Sequence, residues 1–217
     1  MRISLYYSSF KEEKLKRGLR YDFDLLALLL IPVGVALNFV GYQLSAALKL
    51  PVWIDQVGTC FVSMIAGPWV GMVMALLGNI INGMLIPTAI PFAFVAMTNA
   101  LFVGYFSRFK FFSNIFTAVI ACAIVNVATA VPSAIVTTFV FGGATGAGSD
   151  LLTAVFLAAG KALLWSTIQA NLVGGTFSVA FNFTIAWLLV RRLPDRFLIK
   201  LNYGRPYIKN RKALIYA

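Results

Sequence analysis

Residues 25–48, 56–107, 111–149 and 162–190 contain no charged residue. A helix of about 20 apolar residues crosses a hydrocarbon core roughly 30 Å thick, so runs of this length belong inside a bilayer. They are continuous rather than alternating, which excludes barrel strands and predicts helices, whose backbone groups are satisfied within a single segment.

Proline and glycine cut the runs into elements. The first predicted helix covers 25–48 and is closed by Lys49 and Pro51; a short second one covers 52–66 and ends at Gly67 and Pro68. The third covers 69–86, Pro87 and Pro91 bracket the turn into the fourth at 92–107, and the fifth covers 111–141. Residues 142–150, with glycine at 142, 143, 146 and 148, are too costly to hold as helix and form a loop. Residues 151–190 are about twice a span in length and carry Lys161. They divide into an amphipathic or re-entrant segment at 151–166 and a last span at 167–190, with one long bent helix as the alternative. The expectation is an all-α, polytopic membrane protein of six transmembrane helices. Its basic N-terminal segment is 1–24, its membrane domain 25–193 with an extracytoplasmic portion at 142–166, and its basic tail 194–217.

Charge sets the orientation. With six spans, 16 of the 18 lysines and arginines fall on one side: six before the first helix, Arg108 and Lys110 after the fourth, and eight beyond Val190. Basic residues stay in the cytoplasm, so both termini are expected there. A seventh span would place the eight C-terminal cations outside. The composition, 60% apolar and 12% charged with a mean hydropathy of +0.87, agrees with a membrane protein. The net charge of +11 follows from the cytoplasmic bias and implies contact with anionic lipid, not with nucleic acid. A short surface helix is expected over Lys11 to Arg20, and no cleavable signal is evident.

The chemistry available is narrow. There is no histidine, Cys60 and Cys122 both fall inside predicted spans, and neither a phosphate-binding glycine loop nor a nucleophile elbow occurs. An enzyme is not expected, and neither is a metal site or a cofactor. What the chain does carry is uncharged polar residues within the membrane. Asn79 and Asn82 share a face of the third helix, Asn99 lies within the fourth, and Asn126, Thr129, Ser133 and Thr137 recur at helical spacing along the fifth. Gln169 and Asn171 open the last span. Amides in hydrocarbon are costly unless paired, so they face the bundle interior, either as bonds between helices or as the lining of a pocket for a polar ligand. Trp53, Phe92, Phe94 and Trp165 lie toward the same end, where they stack on a ring or form an interface belt. Asp55 is the only acid between Asp24 and Asp150. It is either a cap of the second helix or a partner for Lys161; Lys161 in turn either snorkels to water, pairs with Asp55 or Asp150, or meets a ligand.

The order of these motifs suggests a family. The stretch from Ile31 and Pro32 to Asn38, then Leu50 and Pro51 through Asp55 to Gly58 and Thr59, then Gly67, Pro68 and Trp69, resembles the substrate-capture (S) components of energy-coupling factor (ECF) transporters. The glycine-rich 142–150 also looks like the loop before the last helix in some of them. The resemblance covers roughly residues 25–195. It implies a six-helix subunit of a prokaryotic plasma membrane with cytoplasmic termini, capturing a B-vitamin or vitamin precursor from outside. The partners implied are a transmembrane coupling subunit and two ATPase subunits. In that family a small-x-x-x-small face of the first helix docks on the coupling subunit. Here Pro32, Gly34, Ala36 and Gly41 stand in that region, Pro32 replacing the usual small residue. The charged residue that many relatives carry in the last helix is absent, Val173, Gly174 and Gly175 standing there, while Asn171 lies where some relatives hold a ring substrate. The expected substrate-binding set is Trp53, Asp55, Asn79, Asn82, Asn99, Asn126, Ser133, Lys161, Trp165, Gln169 and Asn171, and the expected substrate a neutral or weakly basic heterocycle such as hydroxymethylpyrimidine or pyridoxine. A self-contained transporter or channel is the alternative. It would need polar residues along the whole depth of the bundle.

Overall fold

The computed structural model describes residues 18–208. Most of the surface helix expected over Lys11 to Arg20 lies outside the described residues, as does the end of the basic tail. Seven helices build the fold: α1 (Leu25–Ala47), α2 (Val57–Ala66), α3 (Pro68–Leu85), α4 (Ala93–Arg108), α5 (Ile115–Phe139), α6 (Asp150–Ala158) and α7 (Leu163–Arg192), with single turns at Leu19–Asp22 and Asp195–Leu198. There is no strand among the described residues.

Four of these helices, α1, α3, α5 and α7, are long and apolar enough to cross a bilayer. Their outward positions are apolar: Leu25, Leu29 and Val40 on α1 and Phe116, Val119 and Ile120 on α5 are all more than half exposed. Such faces fit lipid rather than water. The two other expected spans are shorter. Helix α4 has 16 residues, and α2 has ten, every one of them buried.

The centrality of α2 explains how the bundle coheres. It packs against α1, α3, α4 and α7. In lipid, burying apolar side chains between helices gains little, so close backbone approach and interhelical hydrogen bonds must hold the bundle. Glycines supply the approach: a β-carbon on Gly58 would lie 2.0 Å from the Gly34 carbonyl oxygen, and one on Gly41 would lie 1.9 Å from that of Ile54. Asn38 supplies the bonds. Its Oδ1 accepts from the backbone N–H groups of Gly58 (2.7 Å) and Thr59 (3.2 Å), and its Nδ2 donates to Thr59 Oγ1 at 2.8 Å. A residue of α1 therefore caps the N-terminus of α2, a role normally filled by the residue just before the helix.

Gly67 shows why the Gly-Pro-Trp motif reads as it does. Its φ of +100° is open to glycine and strained for other residues, and a β-carbon there would strike the Tyr203 ring at 2.4 Å. Pro68 then occupies the first turn of α3, where its missing N–H costs nothing.

The structure changes two expected boundaries and adds a fold-back. The second helix begins at Val57, not 52, because the backbone of 53–56 is tied to side chains instead: Trp53 N–H donates to Ser178 Oγ (2.9 Å), Ile54 N–H to Ser45 Oγ (3.0 Å) and Gln56 N–H to Asn182 Oδ1 (3.1 Å). The last helix begins at Leu163, not 167, and a break containing Gly160 at φ +78° separates it from the short α6, so 151–190 is a separate segment followed by a long helix and not one bent helix. Residues 194–208 fold back on the bundle, with Leu198, Leu201, Tyr203 and Tyr207 buried.

Candidate functional site

A cavity of about 160 Å³ lies at the end of the bundle opposite the fold-back. Each part of its wall has a local cause. The connection 48–56, kept out of helix over 53–56 by the bonds just given, contributes Trp53, Asp55 and Gln56, and Tyr42 at the end of α1 stacks on Trp53 with ring centroids 5.5 Å apart. Asn79 of α3, Thr88 of the turn Pro87–Ala89, and Phe92 follow, Phe92 being stacked on Phe141 at 5.9 Å. Helix α5 presents Asn126, Thr129, Ser133 and Thr137 along one stripe, as the sequence spacing predicts. Facing it, α7 presents Asn171, Gly174, Ser178 and Asn182.

The glycine-rich loop closes one side through Thr145, Ala147 and Ser149. Asp150 fixes its shape by accepting from Thr145 N–H (2.8 Å), Thr145 Oγ1 (3.0 Å) and Gly146 N–H (2.7 Å). Gly148 brings the loop against the other connection, since a β-carbon there would meet the Lys49 and Leu50 carbonyl oxygens at 2.2 and 2.4 Å. Asp150 is thus occupied by its own loop.

Of the expected substrate-binding residues, Trp53, Asp55, Asn79, Asn99, Asn126, Ser133 and Asn171 line the cavity. Asn82, Lys161, Trp165 and Gln169 do not. Asn82 is buried within α3 away from it. Lys161 sits exposed in the α6–α7 turn, donates to Gln169 Oε1 at 2.6 Å and lies 5.3 Å from the Phe156 ring centroid, so it pairs with neither Asp55 nor Asp150. Trp165 is 62% exposed because the inward face of α7 at that level carries Ser166 and Thr167, which are buried. One residue along a helix turns a side chain by about 100°. Nor does Asp55 cap α2, since Asn38 does so.

The expected docking set also divides. Pro32 and Ala36 face outward, while Gly34 and Gly41 are buried, spent on the approach of α1 to α2 and to Ile54.

The hydrogen-bond accounting of the lining is uneven. Asn126 Nδ2 donates to the Leu172 carbonyl (3.0 Å) and Thr176 Oγ1 (2.9 Å), and Asn99 Nδ2 donates to Gln56 Oε1 (2.9 Å). Their Oδ1 atoms, and Asn171 Nδ2, are buried without a partner. Asp55 lies outside the helices, keeps a face on the cavity and is otherwise enclosed by protein; that burial raises its carboxyl to about 6, against the lowering effect of backbone and Gln56 hydrogen bonding.

Sequence reasoning overlooks Tyr42, Gln56, Thr88, Ser178 and Asn182. For the last two a signal existed: Asn171, Gly174, Ser178 and Asn182 are spaced by three, four and four, a helical stripe like that of α5. No group of histidine, cysteine, aspartate or glutamate suited to a metal ion occurs among the described residues. Comparison with family models, with curated proteins and with solved structures gives no match, so the cavity carries the functional reading.

Proposed function

We propose that this chain is the substrate-capture subunit of an ECF-type importer for a B-vitamin or vitamin precursor, a multi-pass protein of a prokaryotic plasma membrane. Its termini are cytoplasmic and its cavity opens outward. It hands its cargo to a coupling subunit and two ATPases. The observation that carries the reading is a polar, aromatic-lined cavity at one end of an apolar helix bundle. Beneath Cys60, Val103 and Phe183 the interior is filled by Val62, Met64, Ile65, Ala186 and Val190. A cup that ends on a packed core can hold a molecule but gives it no way through, so release needs a second component. The same feature counts against a self-contained channel, which requires polar lining along its whole depth.

On this reading α1 meets the coupling subunit through its exposed Pro32 and Ala36, not through Gly34 or Gly41. The test is uptake of hydroxymethylpyrimidine and pyridoxine into liposomes by the chain alone and with a coupling module. Uptake is expected only with the module and ATP. ATP-independent uptake by the lone chain overturns the proposal.

A further inference from the structure

The cavity wall sets a carboxylate and fixed acceptors together with no cation among the described residues, which bears on what fits it. Asn126 cannot be turned around, because the Leu172 carbonyl that receives its Nδ2 can only accept. Its Oδ1 is therefore a fixed, unpaired acceptor, against Gly175 of the same wall. Thr129 spends its hydroxyl proton on the Val125 and Asn126 carbonyls, which leaves only acceptor capacity. Asp55 adds a carboxylate. Among the described residues no lysine or arginine lines the cavity, and none pairs with Asp55.

A carboxylate enclosed by protein with no cation is expensive unless its partner arrives from outside. The Asn126 and Thr129 acceptors suit N–H donors on the same molecule, and Asn171 Nδ2 together with the hydroxyls of Thr88, Ser133 and Ser149 supplies donors for an acceptor on it. Size and shape narrow the choice. About 160 Å³ is close to the volume of cavity that takes up one benzene-sized ring. The Trp53 and Phe92 faces suit a flat, electron-poor or cationic ring.

We propose that the occupant is a single-ring, protonatable aminoheterocycle or ring-borne amine, whose N–H group is received by the Asp55 carboxylate while its ring lies between Trp53 and Phe92. This rests on the capture reading above and adds the chemistry selected. Charge-assisted hydrogen bonds are about twice as strong as neutral ones, so Asp55 discriminates between an amine and the matching alcohol or carbonyl.

The experiment titrates the full chain in nanodiscs with two matched pairs: pyridoxamine against pyridoxine, and 4-amino-5-hydroxymethyl-2-methylpyrimidine against its 4-oxo analogue. The amino member of at least one pair should bind about tenfold or more tightly than its oxygen counterpart. In Asp55→Asn that preference should shrink to about twofold. Equal binding within both pairs overturns the proposal, as does a preference that survives in Asp55→Asn, or no binding of either amino probe at millimolar concentration. The parent comparison decides even where the variant fails to fold. Failure here is distinct from failure of the capture reading: module-dependent uptake of a ring without N–H donors would sink only the present proposal, and amine binding with ATP-independent uptake would sink only the other.

Discussion

Where residues 194–208 fold back, polar groups close on one another. Ser107 Oγ donates to the Met64 carbonyl at 2.7 Å and meets Tyr207 Oη at 2.9 Å, and Tyr203 Oη reaches both carboxylate oxygens of Asp22 at 3.2 and 3.1 Å. Arg205 Nε and, one turn from Gly67, Ser63 Oγ are the exceptions there. At the cavity end, Asn99, Asn126 and Asn171 each keep a buried polar atom without a protein partner. Leaving such an atom unpaired costs about 1–3 kcal/mol, so one end has converted its polar groups into structure and the other has kept them in reserve. Asn38 belongs with the first kind although it lies in mid-bundle, because it makes three interhelical hydrogen bonds.

The largest effect should come from that residue. Asn38→Ala strips two backbone N–H groups at the start of α2 and is expected to lower stability by about 3 kcal/mol or more, read as an unfolding shift in detergent. A loss under about 1 kcal/mol would erase the distinction between spent and reserved amides. Next, Tyr207→Phe and Asn171→Ala should have opposite signatures. The first removes one bond at the fold-back and should cost about 1 kcal/mol of stability with binding unchanged. The second should weaken binding of an amino-ring probe several-fold, up to about tenfold, with stability within about 0.5 kcal/mol, measured by calorimetry on folded protein.

A smaller effect concerns pH. Asp55 holds its proton more tightly folded, at about 6, than unfolded, near 4. Its contribution to stability is thus fully present below about 4 and is lost as pH rises through about 6, so the ligand-free chain should weaken across that window. Asp55→Asn should flatten the slope in an unfolding series over pH. The smallest effect is expected at Trp165 and Lys161, where alanine substitution should leave binding within about twofold of the parent, since both lie outside the cavity.

Much of this was legible in the chain because hydrocarbon imposes a strict grammar. Charge-free runs and their Gly and Pro breaks mark most helices to within a few residues, and the α5 stripe is visible in its spacing. What resisted reading was whatever depended on a distant partner. Nothing local says that Trp53 and Gln56 will be held by Ser178 and Asn182, 125 and 126 residues away, and so drawn out of helix. Nor can spacing alone reveal that Gly34 and Gly41 are consumed inside the subunit, since a small-residue face looks the same whether its neighbour is the same chain or another. Lys161 and Trp165 depend on the same kind of detail: Lys161 falls in the turn just before α7, and Trp165 stands beside Ser166 and Thr167, which take the inward face at that level.

The brevity of α2 bears on how the molecule is made. Ten residues rise about 15 Å, half the hydrocarbon thickness, so the segment cannot register as a crossing when it leaves the ribosome. It must be carried in with α3, from which only Gly67 separates it, and settle against α1 once Asn38 meets its first amides. Even then the connection above it is unfinished. Gln56 N–H waits for Asn182, and Trp53 N–H for Ser178, both on the final helix. A nascent chain halted before Leu163 would have three of its four span-length helices and no complete cavity, since the wall that fixes the connection is supplied by α7.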